Sequence, residues 1–137
     1  MKVFLDTNVL ASAVATHGIC ADLMRDVLSQ HELYISAHVL GELTRVLQQK
    51  FQVPEAVVSE FTAFLSLECI LVQPVELPTV RIKDQDDLPV LGAAVACNAE
   101  ILVTGDKELL RLGSIHGTRI ISPRAYWEES QGRNVTR

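Results

Sequence analysis

The sequence predicts an α/β fold, a three-layer α/β/α sandwich around a central, mainly parallel sheet of four or five strands. Three observations carry that prediction. Short apolar runs alternate along the chain with helical patterns of about 10–15 residues, which is the signature of strand–helix–strand units. The runs at 3–5, 70–72, 101–103 and 120–121 are continuous rather than alternating, as in strands covered on both faces. A chain of 137 residues that is 48% hydrophobic fits one domain with a sizeable core.

Taken in order, residues 2–6 (KVFLD) read as a buried strand that breaks on Asp6, Thr7 and Asn8. Residues 8–15, small and apolar, read as a helix. Residues 20–30 (CADLMRDVLSQ) read as another, with Leu23, Val27 and Leu28 on one face and Met24 beside them. ELYIS at 32–36 is a strand whose last residue, Ser36, is placed to cap the next helix. Residues 37–50 carry the clearest helical period, through Val39, Leu40, Leu43, Val46 and Leu47. Pro54 suits the first position of a helix over 55–67. CILVQ at 69–73 is a strand, and PVELPTVRIKDQDD at 74–87 a loop. A helix over 88–98, a strand at 101–104 (ILVT), a short helix at 106–112 and a strand at 119–122 (RIIS) come next. Pro123 starts a helical turn through Trp127, and the polar tail from 128 to 137 is expected to fray. With no internal repeat and no linker, residues 1–137 are expected to form a single domain.

Composition excludes several classes. Mean hydropathy of +0.22 argues against disorder. No apolar run approaches the roughly 18 residues of a membrane helix, and the N-terminus lacks the apolar core of a signal peptide. The chain is therefore expected to be cytoplasmic and to engage no membrane. Cys20, Cys69 and Cys97 are widely spaced without a CxxC, so they read as buried thiols rather than as a disulfide or zinc framework. The net charge of −5 gives no basic footprint for nucleic acid. A polyanionic substrate would need a local basic patch or a bound cation.

In open α/β sheets, sites form beyond the carboxyl ends of the strands. Asp6 ends the first strand and Asp106 comes just after ILVTG, so parallel strands bring both to one edge. Asp87 projects from the first turn of the 88–98 helix on the face shared by Val90, Leu91, Ala94 and Cys97. Helix capping by Asp86 or Asp87 competes with a site role there. Glu42 lies at the margin of its helix's apolar stripe beside Val46, where a glutamate by itself is ordinarily a solvated residue. Asn8 and Thr104 complete the polar edge as groups that either close local turns or orient the acids. Carboxylates gathered in one crevice raise one another's pKa. A hard divalent cation such as Mg²⁺ or Mn²⁺ removes that cost, and it activates water and clamps phosphate oxygens. The implied chemistry is phosphodiester hydrolysis. The histidines (His17, His31, His38, His116) fall in unremarkable positions, and GxSxG, GxGxxG and P-loop patterns are absent.

FLDTNVLASA at 4–13, SAHVLGELTRVL at 36–47 and DQDDLPVLGAAVACNAEILVTGDKELL at 84–110 together resemble a PIN-domain ribonuclease of the kind found as VapC-like toxins in toxin–antitoxin systems. The resemblance spans nearly the whole chain and implies the PIN-like form of the sandwich. Carried over position by position, it implies catalytic and metal-binding roles for Asp6, Glu42, Asp87 and Asp106; Asp84 and Asp86 belong to the same acidic run and compete with Asp87 as metal ligands, and the buried-face position favours Asp87. It matches Asn8 to the amide after the first acid, Thr104 to the hydroxyl before the last, and Glu108 to a further acid present in some relatives. It implies a Mg²⁺- or Mn²⁺-dependent ribonuclease cutting RNA with a metal-activated water. It also implies a homodimer and a small cognate antitoxin. Arg45, Lys83, Lys107 and Arg111 are the nearest basic candidates for phosphate contacts, although Arg45, one turn beyond Glu42, also suits a surface salt bridge.

Two other readings compete. One is a non-catalytic PIN-fold module that binds RNA or protein. The other is a phosphatase using Asp6 as a covalent nucleophile, as haloacid-dehalogenase-like enzymes do. Those enzymes carry a second Asp two residues on, and here that position is Asn8.

Overall fold

A computed structural model describes residues 1–73 and 77–135, and for 133–135 the backbone alone. The chain runs β1 (Lys2–Leu5), α1 (Thr7–Ala15), α2 (Ile19–Gln30), β2 (Glu32–Ser36), α3 (Ala37–Gln49), α4 (Glu55–Glu68) and β3 (Ile70–Val72). It continues α5 (Asp87–Ala96), β4 (Ile101–Val103), α6 (Lys107–Leu112), β5 (Ser114–Ile115), β6 (Thr118–Ile121) and α7 (Pro123–Val135).

The sheet has six strands in the order β3-β2-β1-β4-β6-β5. β1 pairs in parallel with β2, Val3 opposite Leu33, and with β4, Val3 opposite Ile101. Val3, Phe4, Leu5, Ile101, Leu102 and Val103 are all buried, as continuous apolar strands between two helical layers must be. From β1 the chain first builds outward through β2 and β3, then crosses to β4 on the other side of β1. This reversal opens a crevice beyond the carboxyl ends of β1 and β4, the usual place for a site in such sheets.

The sandwich, its parallel sheet and its helices match expectation, with differences that have physical reasons. The sixth strand, β5, is two residues paired antiparallel to β6, too short to leave a pattern in the sequence. α7 does not stop at Trp127 but runs to Val135, so residues 128–135 are helical rather than frayed. Tyr126 and Ser130, one turn apart, are both buried and donate their hydroxyls to Asp26 on α2, at 2.6 and 3.1 Å. Two polar anchors thus fix a helix that has little apolar face. The free thiols of Cys20, Cys69 and Cys97 are half-buried rather than buried, and burial pushes Cys69 up to about 12. Residues 74–76 of the proline-containing loop lie outside the described residues. Among the described residues no helix is long and apolar enough to cross a membrane.

Candidate functional site

The backbone of the crevice is made by β1 running into α1 and β4 running into α6. The Asp6 N–H donates to the Val103 carbonyl at 3.0 Å, extending the β1–β4 ladder one step past the strand. Asp6 is also the N-cap of α1: its Oδ1 accepts the Thr7 N–H at 2.8 Å. Its other oxygen, Oδ2, accepts the Thr104 hydroxyl at 2.7 Å. Thr104 is fully buried, and its Oγ1 in turn accepts the Asp106 N–H at 3.0 Å. One hydroxyl therefore ties the first acid to the backbone of the last. Asp106 caps α6, its Oδ1 accepting the N–H groups of Glu108 and Leu109 at 2.9 and 3.0 Å. Each carboxylate faces a helix N-terminus, where negative charge is favoured.

Glu42 is not a solvated face residue. Its Oε1 accepts the Thr7 hydroxyl at 2.8 Å and lies 3.3 Å from His38 Nε2, while Arg45 approaches Oε2 at 3.8 Å. The His38 approach is ion-pair close without hydrogen-bond geometry, so the buried Nε2 has no hydrogen-bond partner among the described residues.

Asp87 opens α5, and the cap position before it belongs to Asp86, whose side chain makes no capping bond. The capping role weighed for these acids is thus unfilled. Asp87 Oδ2 is buried and has no hydrogen-bond partner among the described residues. Burial, then the charges of Asp106, Asp6, Asp84 and Glu42, push Asp87 up to about 7. Asp6 is also raised, mainly by burial and further by Glu42 and Asp106, against the lowering effect of the Thr104 and Thr7 hydrogen bonds. The acids from four separate elements therefore share one field, and the threonine hydroxyls that hold two of them, Thr7 to Glu42 and Thr104 to Asp6, reach across 35 and 98 positions of the chain.

The remaining predicted residues fall in different places. Asp84 and Asp86 are exposed, and Asp84 Oδ1 accepts the Asp86 N–H at 3.0 Å in the turn that leads into α5. Glu108 is turned away from the acids, both its oxygens accepting the Lys83 N–H at 2.9 and 3.0 Å. Asn8 is exposed, and among the described residues its side chain bonds none of the acids. Its expected orienting role falls to its neighbour Thr7, which sequence reasoning missed. His38 was missed too, although its i, i+4 spacing to Glu42 puts both on one helix face. Arg45 pairs loosely with Glu42, as its salt-bridge reading predicted. Lys83, Lys107 and Arg111 are exposed.

An apolar cavity of about 150 Å³ adjoins the crevice, with His38, Gln73, Leu77 and Pro89 in its wall, but none of the four acids lines it. Among the described residues no three His, Cys, Asp or Glu side chains form a ready ion-binding cluster. The donors nevertheless fit Mg²⁺ or Mn²⁺: all are hard oxygens, one is buried without a partner, and Mg²⁺ takes only one or two carboxylates while keeping several waters.

The PIN domain family model matches residues 2–108. No curated protein matches the chain. Solved structures share its fold, among them the following three. VapBC2 from Rickettsia felis, bound to a fragment of its promoter DNA, is 22% identical, covers 89% of this chain and 98% of its own, and has a TM-score of 0.63. VapBC-1 from nontypeable Haemophilus influenzae is 19% identical, with 90% and 99% covered and a TM-score of 0.63. VapC20 from Mycobacterium tuberculosis, described as a toxin that cleaves the sarcin–ricin loop, is 16% identical, with 83% and 97% covered and a TM-score of 0.59.

Proposed function

The chain belongs to the PIN domain family, and on that premise we propose that it is a metal-dependent endoribonuclease, the toxin of a toxin–antitoxin pair. The carrying observation is the partnerless, buried Oδ2 of Asp87 inside a field of like charges at the sheet's reversal point. A folded chain gains nothing in stability from that arrangement, because a buried charge without a partner is costly. A cation between the carboxylates reverses the sign of the cost.

Asp6, Asp87, Asp106 and Glu42 would hold Mg²⁺ or Mn²⁺. Bound there, the ion supplies neutralisation of phosphate charge and a water acidic enough to serve as nucleophile. This chain's own residues do the positioning. Thr104 fixes Asp6 and, through the Asp106 N–H, the start of α6. Thr7 fixes Glu42 against the α1 N-terminus. The capping bonds that Asp6 and Asp106 accept use one oxygen each for the fold. Among the described residues the second Asp106 oxygen accepts no hydrogen bond.

VapC20 is described as a toxin that cleaves the sarcin–ricin loop, and VapBC2 as bound to a fragment of promoter DNA. With the sequence's resemblance to VapC-like toxins, the reading extends to an RNA substrate, a small cognate antitoxin, a homodimeric state and a cytoplasmic location.

The test is cleavage of a mixed RNA pool in Mg²⁺, Mn²⁺ or EDTA by the wild type beside Asp6→Asn. Asn retains the capping acceptor, so the variant should fold. Cleavage should need the ion and Asp6. Cleavage that survives both EDTA and the substitution refutes the mechanism.

A further inference from the structure

The proposed function leaves an electrostatic problem. A chain of net charge −5 with four acids at its crevice has to hold a polyanion. Five of its twelve lysines and arginines are already engaged. Arg25 pairs with Asp22, Arg45 with Glu42 and Arg119 with Glu129, while Lys2 and Lys50 lie over the rings of Tyr34 and Phe51.

Arg81, Lys83 and Arg111 differ. They line one open surface groove of about 330 Å³ together with Ile82, Glu108 and Leu112. All three are exposed, and among the described residues none is paired with a carboxylate. Glu108 shapes the groove: its two oxygens accept the Lys83 N–H and clamp the segment before α5 onto α6. Its charge offsets one of the three cations, which leaves the groove net positive. The groove is built on the two segments that also carry Asp87 and Asp106. Lys83 precedes Asp87 by one turn of loop, and Asp106 caps the helix that carries Arg111. At 1.5 Å per residue, Arg111 stands about 7.5 Å along that axis from Asp106.

We infer that Arg81, Lys83 and Arg111 form a phosphate-tracking groove that receives the single-stranded RNA backbone next to the scissile bond. This rests on the ribonuclease reading. It adds Arg81 to the substrate-binding set and leaves out Arg45, which Glu42 holds, and Lys107, which is not in the groove wall. Three clustered cations and an ion in the crevice then let an acidic protein bind RNA locally.

The test uses the Asp106→Asn chain, which keeps its helix cap, with Mg²⁺ and a fluorescent single-stranded oligoribonucleotide of mixed sequence. Binding is measured across a salt series. Replacing Arg81, Lys83 and Arg111 together with Ala should weaken binding about tenfold or more and flatten the slope of log affinity against log salt by about 2, since each lost contact to single-stranded RNA removes about 0.7. Arg81→Lys with Arg111→Lys should retain most of the slope. Arg124→Ala, an exposed cation on α7 outside the groove, should leave it unchanged. If the parent binds and the triple variant binds equally with the same slope, the groove is refuted and the nuclease reading stands. If neither the parent nor the wild-type chain binds or cleaves RNA, both fall.

Discussion

Asp26 and Asp87 are both partly buried carboxylates on helices, and the fold treats them in opposite ways. Asp26 has one oxygen that accepts two neutral hydroxyls, from Tyr126 and Ser130, and so joins α2 to α7. Asp87 has an oxygen with no hydrogen-bond partner among the described residues and four other acids raising its pKa. Where a carboxylate serves the fold, neutral donors meet it. Where donors are withheld and like charges are gathered, the arrangement serves something outside the fold. Asp6 and Asp106 stand between the two, each capping a helix while sharing the field of the other acids, so the contrast is sharpest at Asp26 and Asp87 and can be broken at either end.

The largest effect is expected at Asp87. Asp87→Asn should lower the cleavage rate by about 10²–10³, the scale of losing one group that stabilises developing charge. In EDTA the same substitution should raise the unfolding midpoint, because it removes an uncompensated charge. Cleavage kinetics and thermal unfolding check the two halves. Thr104→Val keeps the shape but strips the hydroxyl from Asp6 Oδ2 and the Asp106 N–H, and should cost about 10–100-fold in activity. Asp26→Ala should do the converse. It should destabilise the chain by about 1–3 kcal/mol by removing the acceptor that the two hydroxyls share, with cleavage per folded molecule unchanged, as urea unfolding and rate measurements would report.

The pH dependence has its origin in the same contrast. Asp87 rises from 3.8 to about 7 on folding, so between those values the folded chain holds a proton that the unfolded chain has lost. Its stabilising contribution is complete below about pH 4 and is lost as pH rises toward 7. Asp6 shifts in the same direction. In EDTA the chain should therefore be more stable near pH 5 than near pH 8. Mg²⁺ should raise the urea midpoint near pH 8 and do little near pH 5, where protons compete for the carboxylates. The smallest effect is expected for His38→Ala, a severalfold change in activity, since its Nε2 only approaches Glu42.

The sandwich was legible because unbroken strands such as VFL and ILV and the period of α3 are local patterns. The edge shared by Asp6 and Asp106 was legible because parallel strands leave no other arrangement. Glu42 was harder, since its burial comes from Thr7 on another helix, a contact across 35 residues that no local pattern encodes. α7 is longer than its own residues suggest for a related reason: Tyr126 and Ser130 find their acceptor about 100 residues away, on α2. β5 is only two residues long and exists by pairing with β6. The residues that spacing could have exposed were Thr7, inside the same polar triplet as Asp6, and His38, one turn before Glu42.

The central claim is that a cation binds among these carboxylates. Calorimetric titration of Mn²⁺ near neutral pH into the wild type, Asp87→Asn and Asp26→Ala tests it directly. The wild type and Asp26→Ala should bind with equal affinity, and Asp87→Asn should bind at least about tenfold more weakly. Equal binding by Asp87→Asn, or no binding by the wild type, contradicts it.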